Sequence, residues 1–86
     1  MEVFVARRKL PRVEITWRDA VTFGEPFKID EVAERALLAE RHTTGYLVYQ
    51  DAERVVLAQT LDPEDDEVDD LTVIPAPWIR RRKRKN

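Results

Sequence analysis

The chain reads as mainly β with one short helix. Three observations carry that reading. Val13, Ile15 and Trp17 alternate with Glu14, Thr16 and Arg18, the period-two pattern of a half-buried strand. Two β-rich runs, Thr44–Gln50 and Arg54–Leu61, are joined by the short polar link Asp51-Ala52-Glu53, which is a hairpin pattern. Only one helical stripe is present, with Ile29, Val32, Ala33, Ala36 and Leu37 at i, i+3, i+4, i+7 and i+8.

Taken in order, Val3–Ala6 is a short apolar stretch suited to a first strand or arm, and Pro11 breaks any helix after the basic cluster. The alternating strand runs through Trp17. Asp19 to Pro26 reads as a loop punctuated by Gly24 and Pro26. Asp30 is placed to cap a helix from Glu31 to about Glu40, with Glu31 and Glu34 near its positive end and Arg41 and His42 near its negative end. Gly45 is a break. Both hairpin runs are apolar on both faces, unlike a strand pair wet on one side, so they are expected to be central in a closed barrel or to cover a partner surface. Tyr46 and Tyr49 differ in parity, so one is expected to point inward and one outward. Asp62–Asp70 is an acidic loop, and Leu71–Ile74 is a further strand. Pro75-Ala76-Pro77 cannot continue a central ladder. Trp78 and Ile79 form a last apolar anchor.

The chain has 86 residues, which fits one domain, and its core must be thin. The expected division is a folded unit over 1–79 with a basic N-terminal segment, followed by a flexible basic tail over 80–86. The net charge of −2 conceals a segregation. Residues 1–12 and 80–86 hold ten Lys/Arg against one acid, and residues 13–79 hold sixteen acids against five bases. No cysteine is present, so disulfides and thiolate metal sites are excluded. No apolar run approaches the roughly 20 residues that span a bilayer, and Met1–Ala6 is too short for a signal peptide. A cytoplasmic setting without membrane contact is the expectation.

The segments Ile15–Ala20 (I-T-W-R-D-A), Thr44–Val48 (T-G-Y-L-V), Val55–Leu61 (V-V-L-A-Q-T-L) and Val73-Ile74-Pro75 with Ile79 resemble a group of small phage- and prophage-encoded proteins. The likeness spans roughly residues 13–79. It implies an SH3-like or Sm-like β-barrel of about five strands with the helix inserted after the first long strand. An antiparallel sheet with one helix on a face is the alternative. The group brings no activity with it. An Sm-type RNA site is not implied, since the Arg-Gly signature is missing from Val73–Ile79. The Ile74-Pro75 turn before a last strand is similar to the turn closing many SH3-like barrels.

The candidate sites follow from charge and aromatics. Arg80, Arg81, Arg82, Lys83, Arg84 and Lys85, with Arg7, Arg8, Lys9 and Arg12, are candidates for gripping nucleic-acid phosphates. The same cations also read, and more readily, as a solvated terminus or as a strap on the chain's own acidic loop. Tyr46, Tyr49 and Trp78, with Asp65, Asp66 and Glu67, are candidates for contact with a protein partner. Asp62, Glu64 and Asp66 take calcium-loop positions one, three and five, but Glu67 and Val73 stand where Gly and Glu are required, so the EF-hand fails. His42 has no Ser or Cys to activate and no second histidine with which to hold zinc. Asp19 is a loop-capping residue. The expectation is therefore a non-catalytic binding or adaptor protein without metal or cofactor. A protein partner is favoured, a phosphate-gripping nucleic-acid role is the alternative, and the oligomeric state is open.

Overall fold

A computed structural model describes residues 9–85. The expected strand Val3–Ala6 and the cations Arg7 and Arg8 lie outside the described residues. Five antiparallel strands form one sheet: β1 (Arg12–Asp19), β2 (Ala39–Gln50), β3 (Arg54–Asp62), β4 (Glu67–Pro75) and β5 (Ile79–Lys85). Their spatial order is β4-β3-β2-β1-β5. The architecture is mainly β with a short helical segment between the first two strands, as the sequence pattern requires.

The pattern of β1 is realised directly. Ile15 is fully buried, with Val13 and Trp17 packed beside it on the core face. Leu47, Val55, Leu57, Ile74 and Ile79 complete that core. Val55 and Leu57 face it from β3, while Val56 and Ala58 are buried on the other side of the same strand. The run without polar alternation is thus central in position: β3 lies between β2 and β4.

Strand β2 is longer than expected. From Ala39 to Tyr46 it pairs with β1, and from Tyr46 onward it pairs with β3. Gly45 does not break the chain. It lies buried in mid-strand opposite Val13, because β3 passes so close there that only a hydrogen side chain fits.

The helix expected from Glu31 to about Glu40 is cut to one turn. A 3-10 turn, Ile29–Glu31, leads into α1 (Val32–Arg35), and the chain is extended again by Ala39. Asp30 makes no capping bond. Among the described residues the amphipathic stripe has no surface to bury against, and Ile29 is 92% exposed. A helix this short is unstable without packing, whereas Ala39–Thr44 gain a full ladder with β1. Arg35 steadies the turn by bonding Glu31 at 3.1 Å and lying 4.5 Å over the Phe27 ring. Arg41 and His42, expected at a helix end, stand on β2 instead.

The connection Asp51–Glu53 is the expected tight link. Asp51 Oδ1 accepts the backbone N–H groups of Glu53 and Arg54, both at 2.9 Å. Those two bonds, joined by the Tyr49 hydroxyl and the charge of Arg54, hold the Asp51 carboxyl below its ordinary 3.8. A carboxylate with a depressed native pKa adds stability above its unfolded pKa, and that stability is lost as pH falls through the native value. Asp51→Ala should therefore be less stable than the wild type at neutral pH, and the difference should shrink on acidification into the region below 3.8. Urea melts at a series of pH values check this. An equal difference at every pH would contradict it.

After β4 the chain turns through Ile74-Pro75 into a 3-10 turn, Ala76–Trp78, where the Ala76 N–H reaches the Glu53 carbonyl at 2.9 Å. The segment expected as a flexible tail then departs from expectation. Ile79–Lys85 is β5, laddered to β1 from Trp17↔Ile79 to Arg12↔Lys85. After Ile79 it carries no apolar side chain, which hid it, because the pairing of Arg80–Lys85 rests on backbone bonds to the open edge of β1 and not on burial.

Candidate protein-binding face

Residues opposite one another in a ladder share a face. Tyr46 stands opposite Ala58, and Ala58 opposite Leu71. Tyr49 stands opposite Val56, and Val56 opposite Val73. Two parallel rows, Tyr46–Ala58–Leu71 and Tyr49–Val56–Val73, therefore lie side by side on the face turned away from the core. Parity along an unbroken β2 sets the two tyrosines on opposite faces. The register corrects it, because β2 shifts by one residue between Leu47 and Tyr49. The extra residue of such a bulge moves every later side chain to the other face.

The floor of this face is Val56 and Ala58, both buried, and its walls are open. Leu71 is 54% exposed, Val73 56% and Tyr49 48%. Each tyrosine carries a cation. Arg12 lies 5.8 Å from the Tyr46 ring centroid and Arg54 4.8 Å from that of Tyr49. The Tyr49 hydroxyl donates to Asp51 at 3.0 Å, and Arg54 bonds the same carboxylate at 2.9 Å. The guanidinium of Arg54 and the carboxylate of Asp51 thus fix the Tyr49 ring in place. The result is an apolar strip with a held aromatic at one end and the carboxylate of Asp69 on the strand below Leu71.

The other sequence candidates are scattered. Trp78 stacks on Trp17 with centroids 6.4 Å apart and planes at 21°. Trp17 also donates to Thr43 Oγ1 at 3.0 Å, so this pair seals the end of the core and does not join the tyrosines. Asp65 and Asp66 lie in the β3–β4 turn, with Glu67 opening β4. In the β3–β4 turn, Asp62, Asp65 and Glu67 bring carboxylate oxygens within 4.8 Å of one another. One Asp62 oxygen already accepts the N–H groups of Glu64 and Asp65, and the trio is explained as turn chemistry.

His42 has both ring nitrogens engaged, Nδ1 by Thr16 Oγ1 and Nε2 by Glu40, each at 3.1 Å. Asp19 ends β1 and accepts Arg41 at 3.4 Å, tying β1 to β2. Lys9 is exposed just before β1, and Arg80 to Lys85 line the edge strand β5. Of these six cations, among the described residues, only Lys85 makes an ion pair, with Glu14 at 3.8 Å. Arg82 donates to Gln50 at 2.6 Å.

A second apolar region lies on the β1–β2 connection. An open groove of about 470 Å³ is lined by Arg18, Ala36, Leu37, Leu38 and Glu40. No helix among the described residues is long and apolar enough to cross a membrane.

Sequence reasoning missed Leu71 and Val73 as surface residues. Their signal was present: Leu71–Ile74 has apolar residues at both parities, the same feature that marked the central hairpin. No protein-family model matches the chain, and comparison with curated proteins and with solved structures found no match.

Proposed function

We propose that the chain is a non-catalytic binding module that engages a protein partner through the Tyr46/Tyr49/Leu71/Val73 face. The observation that carries this reading is the bulge in β2, which puts both tyrosines in line with two exposed aliphatic residues. A contiguous apolar strip flanked by charge is what a protein contact uses, and aromatic side chains are its usual anchors. The partner's complementary feature is an apolar segment with a basic group on its Asp69 side, since the Asp51 carboxylate at the other end is already paired with Arg54. A non-catalytic role is supported by His42, whose ring is tied on both sides.

The test compares proteins retained from a cell extract by the immobilised wild-type chain and by Leu71→Thr/Val73→Thr. These substitutions keep β-favouring side chains while removing apolar surface. A retained protein that survives about 1 M salt, where exposed charges are screened, and that binds the double variant at least about tenfold more weakly, supports the reading. Identical retention by both chains overturns it, as does retention lost entirely on raising salt.

A further inference from the structure

The two edges of the sheet carry opposite charge. Strand β5 holds Arg80, Arg81, Arg82, Lys83, Arg84 and Lys85 and no acid. Strand β4 holds Glu67, Asp69 and Asp70 and no cation. Each is bound on one side only, β5 to β1 and β4 to β3, and the outer side of each has no ladder among the described residues. Proline is absent from β5 and falls only at the last residue of β4, so both outer edges present rows of N–H and C=O groups, interrupted at Asp70 of β4, whose φ is 57°, and at Arg80 of β5, where the register against β1 shifts.

Open edges of this kind template pairing with another chain, and charge decides which pairing is permitted. A β5–β5 contact sets cations against cations, and a β4–β4 contact sets acids against acids. Both are repelled. A β5–β4 contact is the one arrangement in which the charges attract. Among the described residues of a single chain that attraction is unmet. Glu67, Asp69 and Asp70 make no ion pair among the described residues, and neither do Arg80, Arg81, Lys83 or Arg84. The carboxylate of Glu67 is crowded against those of Asp62 and Asp65 instead. Lengths also agree: at about 3.3 Å per residue, β5 spans about 23 Å and β4 about 30 Å.

We propose that copies of this chain associate head to tail, the basic edge β5 of one protomer adding as a strand to the acidic edge β4 of the next. Such a contact joins two different surfaces, so repetition gives a ring if the rotation closes and a filament if it does not. The charge pattern provides attraction to the correct edge and repulsion from the wrong one. The proposal uses the edges of the sheet and is independent of the binding face.

Sedimentation velocity on the full chain at about 0.1 M and about 1 M salt tests it. The wild type should sediment as oligomers at the lower salt and shift toward monomer at the higher. Arg80→Glu/Arg81→Glu/Lys83→Glu/Arg84→Glu leaves β5 with four acids against Arg82 and Lys85, a chain with two acidic edges, and Glu67→Lys/Asp69→Lys gives one with two basic edges. Each should be monomeric alone, with far-UV circular dichroism matching the wild type. An equimolar mixture of the two should assemble again, since each acidic edge then meets a basic one. A wild type that stays monomeric at both salts overturns the proposal, as does a mixture of folded variants that stays monomeric. Assembly of the wild type only after duplex DNA is added also overturns it, and assigns β5 to a phosphate backbone. None of these six substitutions alters Tyr46, Tyr49, Leu71 or Val73, so failure here leaves the binding face untouched.

Discussion

Leu57→Ala should leave most of the chain unfolded at room temperature. Leu57 is fully buried at the centre of β3, within a core cluster whose other buried members are Ile15, Val55 and Ile74. Removing a buried leucine side chain costs about 2–5 kcal/mol, through lost transfer free energy and the cavity left behind. A single core in a domain of this size rarely supplies more than about 3–5 kcal/mol in total. The two ranges overlap, so the substitution removes most or all of the stability. A urea melt followed by circular dichroism reads this directly. Leu71→Thr, on the exposed face of β4, is the control and should change stability by less than about 1 kcal/mol. A Leu57→Ala chain melting within about 1 kcal/mol of the wild type would show that this cluster is not the main stabilising core.

Gly45→Ala should destabilise by about 1–3 kcal/mol, the ordinary range for overpacking. In an open strand the same change is neutral or favourable, because alanine restricts the unfolded chain. Here the added Cβ would lie 2.8 Å from the Ala58 carbonyl oxygen and 3.2 Å from Leu57 Cβ. The first neighbour is backbone, which cannot rotate away, so β2 and β3 must separate. Gln59, whose side-chain amide donates to the Thr44 carbonyl at 2.7 Å, would be displaced as well. Hydrogen exchange should accelerate for the amides at the Tyr46↔Ala58 and Leu47↔Leu57 pairs and less for the β1–β5 ladder. A variant more stable than the wild type would mean that the strands separate there at no cost.

These two residues also mark the limits of sequence reading. Leu57 lies in Val55–Ala58, where apolar residues fall at both parities, and that alone placed it in a central strand. Gly45 was read as a break. Its place in a ladder depends on how near β3 approaches, a fact about two segments that no local pattern holds. The tyrosines repeat the lesson. Their residue type marked them as contact candidates, but counting parity along β2 assigned them to opposite faces. Only the register against β3 exposes the bulge that reunites them.

The amino-acid sequence by itself determined the strand-rich class, β1, the central hairpin with its Asp51 link, the last turn at Ile74-Pro75, and the segregation of charge along the chain. Each is a short-range property: side-chain alternation, turn chemistry or composition. The tertiary structure decided three things. It cut the amphipathic stripe at Ile29–Leu37 to a single turn, because no surface among the described residues covers it while β1 offers Ala39–Thr44 a complete ladder. It drew the six terminal cations into β5, because the edge of β1 supplies backbone partners that no apolar pattern announces. It also set the acidic and basic segments at opposite edges of one sheet. The common reason is that backbone hydrogen bonds between distant segments are blind to side-chain pattern, so where they decide the outcome the information lies in the pairing of strands and not in either strand alone.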